Sequence, residues 1–149
     1  MNWLIKTDGD ITSLALRLAL ATVIFPHGAQ KLLGWWGGYG YGGTMKYFTA
    51  TMGIPSLLAL GVIVIEFVAP LALVAGVATR PAALAIAVVM ATAALMVHRP
   101  NGFFMNWFGN QKGEGLEYFL LAIALALALV WKGGGALSLD RVLAARLSG

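Results

Sequence analysis

Long apolar runs, each interrupted by only a few ionisable residues, alternate with short glycine-rich or polar stretches along the chain. Four of these runs approach the roughly 20 residues that a membrane-spanning helix needs, at 11–33, 56–78, 82–97 and 116–131. The third and fourth are short and require a locally thinned bilayer or extra residues at their ends. Pro81 sits where a helix start leaves its missing N–H without cost, and Gly133-Gly134-Gly135 stops the fourth run. Ser138-Leu139-Asp140 then predicts the cap of a short amphipathic helix over 138–147. Small residues recur every four positions, as Ala83, Ala87 and Ala91, Ala122 and Ala126, or Ala72 and Gly76. Such rows let helix backbones approach closely in lipid. The pattern predicts an all-α membrane protein, a four-transmembrane-helix bundle forming one domain over 1–149.

Composition narrows the function classes. Of 149 residues, 60% are hydrophobic and 11% charged, too few charges to clothe an apolar core in water-soluble surface. A free soluble domain is excluded. Ten basic residues against six acidic, spread thinly, suit contact with anionic lipid head groups and not a nucleic-acid groove. The absence of cysteine removes disulfides, thiol catalysis and iron–sulfur ligation. Asp8 and Asp10 stand where a cleaved signal peptide carries basic residues, so the first run is read as a retained helix.

Four spans place both termini on one side. Lys6, Arg80, Lys132, Arg141 and Arg146 collect there, against Lys31, Lys46, Arg99 and Lys112 opposite, a small bias toward cytoplasmic termini. The two outer loops are aromatic: Trp35-Trp36 opens one, and Phe103-Phe104 with Trp107 occupies the other. An interfacial aromatic belt with glycine connectors explains them as well as ligand binding does.

Ionisable groups within the spans are costly unless paired or hydrated, which makes each a functional candidate. Arg17, His27 and Lys31 fall at about 0°, −80° and −40° around the first helix, one polar stripe on an apolar cylinder. Glu66 lies near the middle of the second. Side chains lean toward their own helix N-terminus, so on antiparallel helices Glu66 and His27 converge, while Arg17 is free to reach the cytoplasmic head groups. Glu66–His27 is the predicted pair, and these two are the candidate catalytic residues. Pro26 and Pro70 cannot donate to the carbonyls of Thr22 and Glu66, which predicts kinks with space beside them. The alternative is a purely structural Glu66 that locks helix packing. His98 and Glu117 join the outer cluster from the other two helices. No HxxxH or ExxH spacing supports a metal or haem site built from His27, His98, Glu66 and Glu117, and no nucleotide motif is present. No metal is expected.

Several segments together resemble the DoxX/DoxD-like family of small four-helix membrane proteins. They are Leu16-Arg17-Leu18, His27-Gly28-Ala29-Gln30-Lys31-Leu32, Glu66 with the five residues before it, and Gly76 to Arg80. His98 to Phe104, Glu114 to Tyr118 and Ser138-Leu139-Asp140 complete them in family order. The resemblance implies a membrane subunit of a quinone-linked redox or oxidative-stress assembly in a bacterial inner membrane. Quinone would be the cofactor, and the bilayer and a soluble redox protein the partners; a homo-oligomer is left open. The ligand-binding residues expected are His27, Lys31, Glu66, His98 and Glu117, beneath Trp35, Trp36, Phe103, Phe104 and Trp107. Two other classes stay open: a non-catalytic anchor or scaffold for soluble redox enzymes, and a small proton-coupled transporter.

Overall fold

The structure, a computed structural model, describes residues 3–148; the remaining ends of the domain expected over 1–149 lie outside them. The described residues are helical with no strand. Helix α1 spans Ile11–Leu33, α2 Gly40–Lys46, α3 Ser56–Ala75, α4 Thr79–Ala93, α5 Glu117–Lys132 and α6 Leu139–Ser148. Helices α1, α3, α4 and α5 pack side by side, each against two of the others, around Leu20, Ile24, Leu73, Ile86, Met90, Phe119 and Leu129. The predicted small-residue rows of α4 and α5 are buried, Ala83 and Ala87 on one helix, Ala122 and Ala126 on the other. Large apolar side chains such as Leu57, Val88, Leu95 and Leu121 point outward, as a lipid-facing surface requires.

Three helical stretches are long and apolar enough to cross a membrane: Ile11–Leu33, Ser56–Ala75 and Thr79–Asn101. The fourth expected span, α5, has 16 residues and a length of about 24 Å, short of the roughly 30 Å hydrocarbon core. The third span is longer than the expected 82–97. Beyond α4 it continues through a π turn at Ala94–His98 and a 3-10 turn at Arg99–Asn101. It also starts earlier, because the Asp140 carboxylate accepts the N–H groups of Ala78 and Thr79 at 2.8 and 2.9 Å and so caps α4 from a distant segment. Helix α3 ends at Ala75, short of 78, because Gly76 takes the left-handed conformation at φ 64°. The stretch read as a glycine connector holds α2 and a π turn at Tyr47–Thr51.

At the start of α1, Asp10 accepts the Thr12 N–H at 2.8 Å and pairs with the Lys132 ammonium from the end of α5. The lysine, followed by the Thr12 amide, holds the Asp10 carboxyl down at about 2, against an ordinary 3.8. A carboxyl depressed by folding stabilises the fold above its unfolded value and loses that contribution as pH falls toward the folded one. Acid titration of the purified protein should therefore show a loss of stability between about pH 4 and pH 2. In Asp10→Asn that part of the loss should shrink, as read by thermal melts across the range.

The α1–α3 contact depends on Gly28. A methyl group there would lie 2.2 Å from the Glu66 carbonyl oxygen, against backbone that cannot swing aside. Gly28→Ala should force the two helices apart at a cost of about 1–3 kcal/mol. Unfolding in mild detergent would reveal it, and a neutral result would mean that the helices cross elsewhere.

Candidate functional site

Glu66 is 4% exposed in the middle of α3, and its Oε2 accepts a hydrogen bond from Lys31 Nζ at 2.5 Å. Lys31 lies in the last turn of α1 with its side chain about a quarter exposed, so the pair is sealed at the glutamate and open at the lysine. Gly28, one helical turn before Lys31, gives α3 the close approach that brings the two charges together. Pro70, one turn on from Glu66, has no N–H for the Glu66 carbonyl, the group that faces Gly28.

The expected Glu66–His27 pair does not form. Lys31 takes the carboxylate, its longer chain reaching back along α1 toward the glutamate. The His27 ring lies instead 5.9 Å from the Tyr118 ring of α5, with no hydrogen bond to a described residue. Tyr118 was not among the expected site residues. The sequence signals for it are its place beside Glu117 at the start of the fourth run and its membership of the Glu114 to Tyr118 segment that carries the family resemblance.

His98 and Glu117 have other partners. His98 Nδ1 donates to the Glu114 carbonyl at 2.9 Å and its ring stacks 4.2 Å from Phe119. Glu117 Oε2 accepts the Met105 N–H at 3.0 Å, and Glu114 Oε2 accepts the Asn106 N–H at 2.6 Å. These groups fold the loop that precedes α5 back on that helix. Among the described residues no three acidic or histidine side chains gather as a metal site would require. Of the aromatic roof, Trp35 meets Trp36 edge-on at 5.5 Å and Phe25 at 6.4 Å, and Phe103 meets Phe104 at 5.2 Å. Trp107 is 74% exposed and stands apart from these ring pairs.

A groove of about 380 Å³ opens between α1 and α3, lined by Ala21, Thr22, Phe25, Pro26, Pro70, Leu71 and Val74. It lies beside both prolines, where the missing hydrogen bonds were expected to make room. Its lining runs from about one to about three turns along α1 and α3 beyond Lys31 and Glu66, neither of which lines it, and nearly all of that lining is apolar.

Arg17 departs most from expectation. It is fully buried instead of reaching head groups. Nη1 donates to the carbonyls of Leu73 and Val74 at 2.8 and 3.2 Å, and Nη2 to those of Ala136 and Leu137 at 2.7 and 3.1 Å. The first two carbonyls end α3, where the Leu73 oxygen also takes the Gly76 N–H at 3.1 Å and the helix dipole favours a cation. Arg80 likewise donates to the carbonyls of Val130 and Lys6 at 3.0 and 2.7 Å. The end of the bundle that carries both termini is thus tied by its arginines to the segments that precede α1 and follow α5.

Apolar helices bearing one buried ion pair define an integral membrane protein with a polar centre between its first two long helices. A family model described as DoxX matches residues 12–99, and the chain belongs to the DoxX family. No curated protein and no solved structure matches it.

Proposed function

We propose that the protein is a quinone-binding membrane subunit of a redox assembly, with Lys31 and Glu66 as its proton-handling pair. The observation that carries the reading is the Lys31–Glu66 ion pair, sealed on the glutamate side and beside a groove between the same two helices. A structural pair alone explains neither the opening at Lys31 nor the adjacent His27 ring, which has no hydrogen-bond partner among the described residues.

The residues present suit a quinone. Phe25, Pro26, Pro70, Leu71 and Val74 offer flat and apolar walls to a ring or an isoprenoid tail. His27 and Lys31 supply donors for a carbonyl oxygen on the outer side of that groove. A bound quinone contributes two-electron chemistry with uptake of two protons. Lys31 is the donor that meets solvent, and Glu66 holds its charge in place and accepts a proton when the lysine is displaced. Electrons require a carrier that these helices do not contain, so a soluble redox partner belongs to the reading.

In this reading α5 completes a fourth span, helped by the loop residues folded onto its outer end, and both termini face the cytoplasm. Reporter fusions at Gly38 and after the C-terminus should report opposite sides; the same side for both would overturn the topology.

Solvent extraction of the protein purified in mild detergent, followed by mass spectrometry, tests the function. Quinone near one per chain, depleted in Glu66→Gln, is the expected result. Absence of quinone, with retention of a soluble redox partner that depends on the outer loop, would favour the scaffold reading. One observation already supports that second reading: His98, Glu114 and Glu117 all hold a loop whose Trp107 and Phe108 are strongly exposed.

A further inference from the structure

We infer that the end of the bundle carrying both termini holds a binding site for the phosphate head group of an anionic phospholipid. A cavity of about 370 Å³ lies there, lined by Trp3, Lys6, Thr7, Asp8, Arg80, Trp131 and Lys132, three cations against one carboxylate in its wall. Two of the cations are held rigidly. Arg80 is buried, anchored to the Val130 and Lys6 carbonyls, and its guanidinium lies 4.5 Å from the centre of the Trp3 ring. Lys132 is fixed by Asp10, which leaves it in the wall with its charge largely balanced. The Lys6 ammonium has no hydrogen bond or ion pair with any described residue. With Lys132 matched by Asp10, the Lys6 and Arg80 charges outnumber the single Asp8 carboxylate, so the wall of the cavity keeps a net positive charge.

The aromatic rim specifies a lipid over a free anion. Trp131 is 84% exposed at the last turn of α5 and Trp3 is 56% exposed opposite it. Indole rings placed beside cations at the end of an apolar helix belong at the level of lipid head groups. Helix α6 extends the same surface. Leu139, Val142, Leu143 and Leu147 are exposed along one side of it, with Arg146 between them, while Asp140 pins its first turn to α4. The neighbouring Arg141 lies over Gly9, placing a fourth guanidinium or ammonium near the cavity. A helix with that pattern lies in the membrane surface, its apolar side among acyl chains and its cations near phosphates. The occupant that meets all of these features is a glycerophospholipid with net negative charge, its phosphate at Lys6 and Arg80 and its acyl chains along Trp131.

The test compares phosphatidylglycerol with phosphatidylcholine of the same acyl chains, added to the detergent-purified full chain. Native mass spectrometry reads lipid retention and thermal unfolding reads stabilisation. The proposal expects selective retention of one phosphatidylglycerol. Lys6→Gln should weaken it about fivefold, the loss expected for one basic residue near an anionic surface. Trp131→Ala should weaken it as well. Lys46→Gln removes an equal charge from the opposite side and should leave retention unchanged. Equal retention of both lipids would overturn the proposal. So would equal effects of Lys6→Gln and Lys46→Gln, or stabilisation by inorganic phosphate alone at the same concentration. None of these outcomes depends on whether the outer half of the bundle binds quinone.

Discussion

Arg17→Met should destabilise the bundle by about 3–5 kcal/mol, the largest effect expected of any single substitution in this chain, because several buried carbonyls lose a donor at about 1–3 kcal/mol each. The guanidinium is fully buried, and its two terminal nitrogens serve four carbonyls on two separate segments. Methionine fills most of the volume but leaves the Val74, Ala136 and Leu137 carbonyls without the guanidinium and Leu73 with only the Gly76 N–H, in a place that water reaches poorly. Hydrogen bonds to a charged group are worth more than neutral ones, and their loss is felt in full when the partner stays buried. Arg17→Lys should be intermediate, because an ammonium cannot span two pairs of acceptors as a planar fork does. Denaturant-induced unfolding in mild detergent measures both variants. A change below about 0.5 kcal/mol in Arg17→Met would mean that the clamp at the end carrying both termini does not form.

The second large effect is expected at the Lys31–Glu66 pair. Lys31→Met strands a carboxylate that is 4% exposed and should cost about 3 kcal/mol, the lower end of the range for breaking a buried pair because the lysine itself is partly open. Glu66→Gln should cost a similar amount by leaving the ammonium without its counter-charge. Combining the two removes both charges, and the double variant should be clearly more stable than the sum of the single losses predicts, with a coupling of about 1–3 kcal/mol. His27→Ala combined with Glu66→Gln should show a smaller coupling, since no hydrogen bond joins those residues. Additive effects in the Lys31–Glu66 cycle, with strong coupling to His27, would restore the pairing that side-chain direction alone suggests.

The contrast between these partners shows how far a sequence can carry the argument. The stop at Gly133 was legible, since α5 ends there, and the prolines mark the groove between α1 and α3. Gly76, read as one of a row of small packing residues inside the second span, instead takes left-handed backbone and ends α3 early. The π and 3-10 turns that extend α4 carry no such mark, and its early start depends on Asp140, 61 residues away from Thr79. Polar residues on one stripe were legible as a group facing protein. Which of them reaches Glu66 was not, because depth and lean place His27 and Lys31 one turn apart and only the Gly28 crossing decides between them. Arg17 was read as reaching head groups since snorkelling is the usual fate of an arginine near a helix end. Its actual acceptors come from the end of α3 and from residues 136 and 137, contacts that no local pattern encodes. His98 and Glu117 were legible as polar groups at the outer end, but their use in folding the loop rests on backbone amides, which every sequence possesses equally.

Thermal protection by a soluble quinone analogue tests most directly whether the polar centre serves a ligand. The double variant Lys31→Met/Glu66→Gln is the informative comparison, because it removes the charges while sparing the fold the cost of a stranded one. At about 100 times the dissociation constant, a ligand confined to the folded state stabilises by about 2.7 kcal/mol, a shift of several degrees for a chain of this size. The account predicts that shift in the wild type and its loss in the folded double variant. No shift in the wild type, or an equal shift in both, would contradict it.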